Sequence, residues 1–199
     1  MRRKVGEEGR LQGDQTIITP LEDNAPRKNT FWRGVWEIVQ TLLLAAILYF
    51  AIDAVFARVR VENISMETTL MPGDVLVVNK LAYKLGKYTT GDIVIFHNPA
   101  YEKEDYIKRL IGTPGDKVVI HNGQVSVNGV VLTENYIAAA PNYEGEWSVP
   151  QDAVFVLGDN RNQSSDSHVW GFVPLKDVVG KALVVYWPLN YIKFITNPY

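Results

Sequence analysis

The sequence predicts a mainly β protein in which one N-terminal transmembrane helix precedes an antiparallel β domain. Two observations support this fold class. Residues 38–57 form an apolar run long enough to cross a bilayer, interrupted only by Gln40, Thr41 and Asp53. After residue 58 the chain changes to short runs of β-branched and aromatic residues, bounded by residues that favour turns.

The composition excludes several classes of protein and site. The 199 residues have room for one domain and a membrane segment, and a net charge of -2 offers no basic field for nucleic acid. Cysteine is absent, which rules out a thiol nucleophile, disulfides and thiolate metal sites. We therefore expect no nucleic-acid partner, and the residues imply neither a cofactor nor a metal.

The first part of the chain predicts a disordered tail followed by a single anchor. Residues 1–33 are polar and charged and show no sustained apolar periodicity. Residues 34–57 are assigned to the anchor, because residues 38–57 within them would form a helix of about 30 Å, the thickness of a bilayer core, with apolar side chains all round. A buried core helix and a cleaved signal peptide are the alternatives. Basic residues flank the run on both sides, so the positive-inside rule gives no orientation.

Residues 58–199 predict an antiparallel β domain. The clearest strand-like runs lie at residues 75–79, 93–96, 153–157 and 181–187. The strongest local signal lies at residues 117–132, where Asn122-Gly123 and Asn128-Gly129 separate three alternating runs. Asn-Gly favours two-residue hairpin turns with positive φ at both centres, so these runs predict a three-stranded meander. No long amphipathic helix is predicted after residue 57.

Two residues are candidates for nucleophilic chemistry. Ser65 lies in a hydroxyl-bearing run shortly after the apolar segment, and a serine hydroxyl needs a base to remove its proton at neutral pH. Lys108 follows Tyr106-Ile107 in an apolar strand context, where desolvation lowers a lysine pKa. Lowering that pKa from about 10.4 to about 8 needs roughly 3 kcal/mol, which burial can supply. The alternative for Lys108 is an exposed strand lysine paired with Asp105.

A histidine base is the rival to a lysine base. The three candidates are His97, His121 and His168. His97 lies at a strand end and His121 in a hairpin arm, which are natural positions for surface histidines. The Gly-x-Ser-x-Gly elbow of Ser-His-Asp hydrolases is also missing from the sequence.

Three stretches of the chain carry polar residues at a characteristic spacing. Residues 65–70 match the pattern Ser-Met-x-Pro-Thr-Leu, except that Thr68 replaces proline. Residues 106–116 hold Lys-Arg followed by Pro-Gly-Asp. Residues 158–168 match Gly-Asp-Asn-x-x-x-Ser-x-Asp-Ser-Arg, except that His168 replaces arginine. Together they resemble the type I signal peptidase family, membrane-anchored serine proteases with a Ser-Lys dyad, over the anchor and nearly all of residues 58–188.

The resemblance implies a role for each position that matches the dyad. Ser65 is expected to be the nucleophile, Lys108 the general base, and Ser164 the hydrogen-bond partner that orients the lysine. The Ser65 N–H and a second donor are expected to hold the oxyanion. Many members have serine two residues before the nucleophile, where this chain has Asn63, so its amide is a candidate donor and a plain turn role is the alternative. The Thr68 replacement restores a backbone N–H and frees φ.

The resemblance also implies supporting residues around the dyad. Met66 and Ile107 are expected to line shallow pockets for small substrate side chains at the minus-one and minus-three positions. Asp159 and Asp166 are expected to hold the surrounding loop by hydrogen bonds. His168 is expected to hydrogen-bond Asp166, although it lacks the permanent charge of the family's arginine.

The implied function is a serine endopeptidase that removes signal peptides from exported preproteins at Ala-x-Ala sites. The implied location is a bacterial plasma membrane, crossed once, with the catalytic β domain outside the cytoplasm and membrane lipid as a second partner. Trp147, Phe194 and Tyr199 are candidates for a bilayer contact. Two alternatives are a self-cleaving repressor with the same dyad, which would need a DNA-binding domain, and a catalytically silent, membrane-tethered β-module that binds exported peptides.

Overall fold

The computed structural model describes residues 30–98 and 101–199. The chain divides into two compact units, one ending at Leu43 and the other running from Leu44 to Tyr199. The described part of the first unit is entirely helical, and the second unit holds the remainder of that helix and all the described strands. Residues 1–29 of the predicted tail lie outside the described residues.

A single long helix, α1 (Thr30–Val55), forms the candidate anchor. Among the described residues it is the one helix long and apolar enough to cross a membrane, and its side chains are not buried by the protein. Its bounds correct the predicted anchor of residues 34–57. The helix begins earlier because no proline interrupts residues 30–33. It ends earlier because Phe56 and Ala57 pair with a neighbouring strand.

The second unit consists mainly of antiparallel strands. The strands are β1 (Phe56–Arg60), β2 (Val75–Asn79), β3 (Ile93–Asn98), β4 (Tyr101–Gly112), β5 (Lys117–His121), β6 (Gln124–Val127), β7 (Val130–Val131), β8 (Gly145–Ser148), β9 (Ala153–Leu157), β10 (Val173–Pro174), β11 (Val178–Trp187) and β12 (Lys193–Phe194). Two four-residue helices, α2 (Ala82–Leu85) and α3 (Ser167–Trp170), join them, together with short 3₁₀ turns.

The strands form two sheets. The larger sheet has the order β1-β2-β11-β3-β4-β9-β10, with β12 added beside β11. The smaller sheet has the order β7-β6-β5-β8, and every strand pair in both sheets is antiparallel. The predicted mainly antiparallel β fold is therefore confirmed.

The hairpin turns follow the sequence closely. Asn122 and Gly123 have φ of 51° and 73°, and Asn128 and Gly129 have φ of 52° and 83°. These positive values at both central residues produce the two tight turns that Asn-Gly favours. The predicted meander β5-β6-β7 is present in the register His121 to Gln124 and Val127 to Val130.

The sequence predicted a strand context for Lys108 but not the length of β4, which is the longest of the described strands. Charged residues at 102–105 interrupt the apolar alternation by which strands are recognised. From residue 107 onward β4 contributes to three separate cores, through Ile107, Leu110 and Ile111. Because both faces of this part of β4 are covered, a polar residue between these positions becomes buried.

Candidate active site

Ser65 lies in a 3₁₀ turn, Ile64–Met66, that is held from two sides. On one side, the side chains of Met66 and Leu70 are fully buried in the core formed by β1, β2, β3, β4 and β11. On the other side, Asn160 N donates to Ser65 O at 3.1 Å, and Asn160 Nδ2 donates to Ile64 O at 3.2 Å. These contacts fix the backbone that presents the Ser65 hydroxyl.

Gly158 is needed for the close approach of the two loops at the site. A Cβ at this position would collide with the Ser65 carbonyl oxygen and with the Ser164 side chain. Its backbone N–H donates to Asp166 Oδ2 at 2.9 Å, and its carbonyl accepts from Arg161 Nε at 3.1 Å. The glycine lets the loop after β9 pack directly on the Ser65 turn.

Lys108 meets Ser65 at the bottom of this junction. It lies on β4 opposite Val94 of β3, and only 4% of it is exposed. The Lys108 Nζ is 2.6 Å from the Ser65 Oγ, which is hydrogen-bonding distance. The two residues predicted as a nucleophile and a base are therefore in direct contact.

Burial changes the acidity of the Lys108 amine. Removal from water disfavours the charged form and lowers the pKa of Lys108 to about 8. The negative charges of Asp166 and Asp159 act in the opposite direction but are outweighed. The pKa expected from the sequence is thus reproduced, and its cause is the desolvation that was anticipated.

Asp159 supports the Ser65 turn from the neighbouring strands. Its carboxylate accepts two hydrogen bonds from Arg109, from Nε at 2.8 Å and from Nη2 at 2.7 Å. It also accepts a short hydrogen bond from the Thr69 hydroxyl. Since Arg109 and Asp159 are both buried, this bidentate pair links β4, the loop after β9 and the end of the Ser65 turn.

His168 makes the contact with Asp166 that the sequence led us to expect. Its Nδ1 donates to Asp166 Oδ1 at 2.6 Å, while the other carboxylate oxygen accepts from Gly158 N. The imidazole also stacks on Tyr143, with ring centroids 3.8 Å apart. Asp166 thus connects His168 to the glycine that touches the Ser65 turn.

The hydrogen bond predicted between Ser164 and Lys108 is not present in the structure. Ser164 Oγ is buried and has no hydrogen-bond partner among the described residues. The Lys108 amine is instead directed at the Ser65 hydroxyl. Ser164 packs against Gly158 at the same junction but does not bind the lysine.

An open cleft of about 700 Å³ leads to the Ser65 hydroxyl. Its walls are formed by residues 59–66 and 104–108, together with Gln163 and Ser165. Met66 and Ile107 reach this cleft but are mostly buried in the first core, so only a small part of each faces a ligand. Asn63 also lines the cleft, is exposed, and makes no hydrogen bond that caps the turn.

Sequence reasoning missed a buried ion pair beside the site. Arg161 is 1% exposed and donates to both carboxylate oxygens of Glu134, at 2.6 and 2.7 Å. Tyr136 joins this pair, because its hydroxyl donates to Glu134 Oε1 at 2.8 Å. The other side of the network is Arg109, whose guanidinium carbon is 3.9 Å from the centre of the Tyr136 ring. Arg161 lies inside the third motif, at a position where the pattern accepts any residue, and Glu134 and Tyr136 lie outside all three motifs. No signal in the sequence connects them.

Comparison with known proteins identifies the family. The family model of signal peptidase, peptidase S26, matches residues 35–187. A probable signal peptidase I-2 of Synechocystis sp. is 41% identical over 186 residues, which are 90% of this chain and 84% of that protein. Signal peptidase I of Leptolyngbya laminosa is 42% identical over 81% of this chain and 84% of its own length. Signal peptidase I of Bacillus caldolyticus is 39% identical over 70% of this chain and 84% of its own length.

The chain belongs to the signal peptidase family. It is a membrane-associated serine endopeptidase that cleaves signal peptides, as the three motifs led us to expect. Among the described residues, no group of three His, Asp or Glu side chains could hold a metal ion.

The buried lysine predicts a conflict between stability and activity. Burial lowers the pKa of Lys108 from the 10.5 of a lysine in water to about 8 in the folded chain. The protonated amine therefore destabilises the fold fully below pH 8, and this penalty disappears above pH 10.5. We expect Lys108→Met to lower the cleavage rate by about 10²–10⁴-fold and to raise the free energy of unfolding at pH 7 by up to about 3 kcal/mol.

Chemical unfolding of the detergent-solubilised chain at pH 7 and pH 10 tests this expectation. The gain in stability should shrink at the higher pH. Lys117→Met is the control, because Lys117 is half exposed and pairs with an exposed carboxylate, Glu146. A Lys108→Met chain that is less stable than the wild type at pH 7 would contradict the expectation.

Proposed function

We propose that Ser65 is the nucleophile and Lys108 the general base in this chain's cleavage of signal peptides. The observation that carries the proposal is the 2.6 Å contact between the Ser65 hydroxyl and a buried amine whose pKa is lowered to about 8. The neutral amine accepts the Oγ proton while Oγ attacks the scissile carbonyl. The resulting ammonium then delivers the proton to the leaving amine.

Other bases fit the geometry less well. Arg109 stays protonated and uses its guanidinium to hold Asp159. Among the described residues, the histidine rings form hydrogen bonds with Asp105, Glu144 and Asp166, and none with Ser65. The silent binding module is not favoured, because the relatives that match most of the chain are signal peptidases.

The cleft supports an extended peptide as the substrate. β1 is one of the edge strands of the larger sheet. β4 pairs with β3 along one edge, whereas on its other edge it pairs with β9 only from Arg109 onward. Residues 104–108 and the segment that continues β1 therefore offer backbone groups to the cleft between them. A peptide added as a strand there would be held by backbone hydrogen bonds, and contacts between its side chains and the cleft walls would determine specificity.

The walls favour small side chains beside the scissile bond. Ile107 and Met66 present only narrow apolar surfaces next to Ser65, because their side chains are already packed in the core. A large substrate side chain would have to displace buried atoms, which is costly in a close-packed interior. We propose Ala-x-Ala sites as the preferred substrates on this ground and on the family resemblance.

The oxyanion is proposed to be held by the Ser65 N–H and the Asn63 side-chain amide. Asn63 lines the cleft two residues before Ser65, and its side chain forms no capping bond within the turn. The absence of that local bond favours a role toward substrate over a turn role. A preorganised amide donor stabilises the negative charge that develops on the carbonyl oxygen.

Membrane lipid is proposed as a second partner of the catalytic domain. Four large apolar side chains close together in the sequence, Trp187, Leu189, Ile192 and Phe194, are each at least half exposed. An apolar group of this size on an anchored enzyme suits contact with a bilayer surface. Of the two other candidates, Trp147 is partly buried against the second core, and Tyr199 contacts Tyr136.

The proposed orientation is a single crossing with residues 58–199 outside the cytoplasm of a bacterial cell. The support is the single membrane-length helix of the described chain and the need to meet preproteins after export. Flanking charge is nearly balanced, so it does not contribute to the argument.

Cleavage of a preprotein with an Ala-x-Ala site tests the dyad. We expect the wild-type chain in detergent to release the mature N-terminus and Ser65→Ala to lose cleavage, because the nucleophile is gone. Lys108→Met should lose about 10²–10⁴-fold in rate. Because the neutral amine is the active form, the wild-type rate should rise between pH 7 and pH 9. Mass spectrometry identifies the cut. A Lys108→Met chain that retained the wild-type rate would rule out the lysine base.

The Asn63 role predicts a different response from two substitutions. Asn63→Ala should lower kcat by about a hundredfold, because one oxyanion donor is lost. Asn63→Ser should retain most of the activity, since a hydroxyl can donate from the same place. Steady-state kinetics with the same preprotein distinguish the roles. Equal activity of the alanine variant and the wild type would leave Asn63 as a turn residue.

Cysteine labelling tests the orientation. The chain has no cysteine, so a single introduced thiol reports one position without background. Glu146→Cys, in the exposed strand β8, should react with a membrane-impermeant maleimide in right-side-out vesicles, and Gly6→Cys only after the vesicles are opened. The reverse pattern would place the catalytic domain inside the cell.

A further inference from the structure

The segment of residues 193–199, here called the tail strap, crosses the surface beside the Ser65 turn. It starts at β12, which pairs with β11 in the register Val185 to Lys193. Ile195 N then donates to Leu183 O at 2.9 Å, and the Ile195 side chain packs on the core that also buries Met66. The first half of the tail strap is therefore part of the sheet that carries the site.

The second half of the tail strap is fastened to the turn that precedes β3. Asn197 Nδ2 donates to Thr90 O and to Asp92 Oδ1, both at 2.9 Å. Gly91 lies beneath it with φ of +96°, and a Cβ at Gly91 would collide with Asn197 and Tyr199. This close approach requires a glycine and holds residues 197–199 in one place.

Tyr199 ends the tail strap against Tyr136. The two phenol oxygens are 2.7 Å apart, and the rings pack edge to face with centroids 6.4 Å apart. Tyr136 Oη also donates to Glu134 Oε1 at 2.8 Å, which leaves its lone pairs free to accept from Tyr199. Burial raises the pKa of both phenols, so both remain neutral donors.

Tyr136 in turn holds the Ser65 turn. Its carbonyl oxygen accepts from the Thr68 hydroxyl at 2.6 Å, three residues after the nucleophile. Its ring lies against the Arg109 guanidinium, 3.9 Å from centroid to carbon, and Arg109 binds the carboxylate that also accepts from Thr69. The tail strap adds a direct contact, from Lys193 Nζ to Thr69 O at 3.4 Å.

Tyr136 depends on these side-chain contacts for its own position. Residues 132–144 contain no helix or strand, so no ladder of backbone hydrogen bonds fixes Tyr136. Three contacts hold its side chain. The Arg109 guanidinium packs on its ring, and its hydroxyl forms hydrogen bonds with the Glu134 carboxylate and the Tyr199 hydroxyl. Loss of one of these three contacts leaves the residue that accepts from Thr68 less firmly placed.

We propose that Tyr136 and Tyr199 are positioning residues of the peptidase, and that the tail strap sets the turnover rate by holding the Ser65 turn against Lys108. This proposal rests on the proposed Ser65-Lys108 mechanism. Neither tyrosine touches the reacting atoms. Each acts through Thr68 and Thr69 on the distance between Oγ and Nζ, and displacements on the order of 1 Å can cost about a hundredfold in rate.

The test compares kinetic constants of full-length variants in detergent on one preprotein. We expect Tyr199→Ala to lower kcat at least about tenfold with KM unchanged within about twofold. Tyr199→Phe keeps the ring contact and loses only the hydroxyl bond, so it should lie between the alanine variant and the wild type. The cleft is formed by other residues, which is why KM should stay constant.

Two comparisons separate positioning from a general loss of structure. Tyr191→Ala is the matched control, because Tyr191 is 49% exposed, against 48% for Tyr199, and does not line the cleft. It should leave kcat unchanged. Thr68→Val combined with Tyr199→Ala should cost less than the product of the two single losses, because both act through Tyr136.

Three results would overturn the proposal. They are a kcat of Tyr199→Ala within twofold of the wild type, a loss confined to KM, and an equal loss in Tyr191→Ala. Wild-type and Ser65→Ala chains run in the same assay identify a different failure. If the wild type does not cleave, or Ser65→Ala still does, the proposed mechanism itself is wrong.

Discussion

The burial of the Lys108 amine against the Ser65 hydroxyl is the constraint on which the rest of the structure depends. An amine without water around it favours the neutral form, and this is what brings its pKa to about 8. The same burial lowers the free energy of unfolding, so packing in the surrounding sheet must offset this loss. β4 meets this requirement because it joins three hydrophobic cores within a few residues of Lys108.

The loops around the dyad are held by buried charges instead of regular secondary structure. Asp159, Asp166 and Arg161 are essentially inaccessible to water, and each has a charged or strongly polar partner within 2.8 Å. In a medium of low polarity such hydrogen bonds are strong, and an unpaired partner would be costly. The network therefore ties the nucleophile turn to the loop after β9 in a single arrangement, as a preorganised active site requires.

The two departures from the family pattern are accommodated in different ways. Thr68 replaces a rigid proline, yet its hydroxyl gains a hydrogen bond to Tyr136 O that proline could not make. His168 replaces an arginine and keeps the contact to Asp166, with the Tyr143 ring packed on its face. In both cases a neighbouring tyrosine provides the contact that accompanies the change.

The sequence by itself determined the elements that depend on local chemistry. The membrane-length helix, the Asn-Gly hairpins, the main strands and the choice of Ser65 and Lys108 as the candidate pair follow from apolar length, turn preferences and short motifs. The contact between Asp166 and His168 followed from the third motif. Local signals predicted a strand around Lys108 but not the full length of β4, where charged residues interrupt the apolar alternation and the partners β3 and β9 stabilise the strand.

Only the tertiary structure decided which distant side chains meet. The Lys108 amine turns to Ser65 and not to Ser164, and Glu134, Tyr136 and Tyr199 gather beside Arg109 and Arg161 from parts of the chain without a motif. These contacts join residues far apart in the sequence. Their geometry depends on strand register and on the exclusion of water. Both depend on how distant segments pack together, so neither can be predicted from one segment alone.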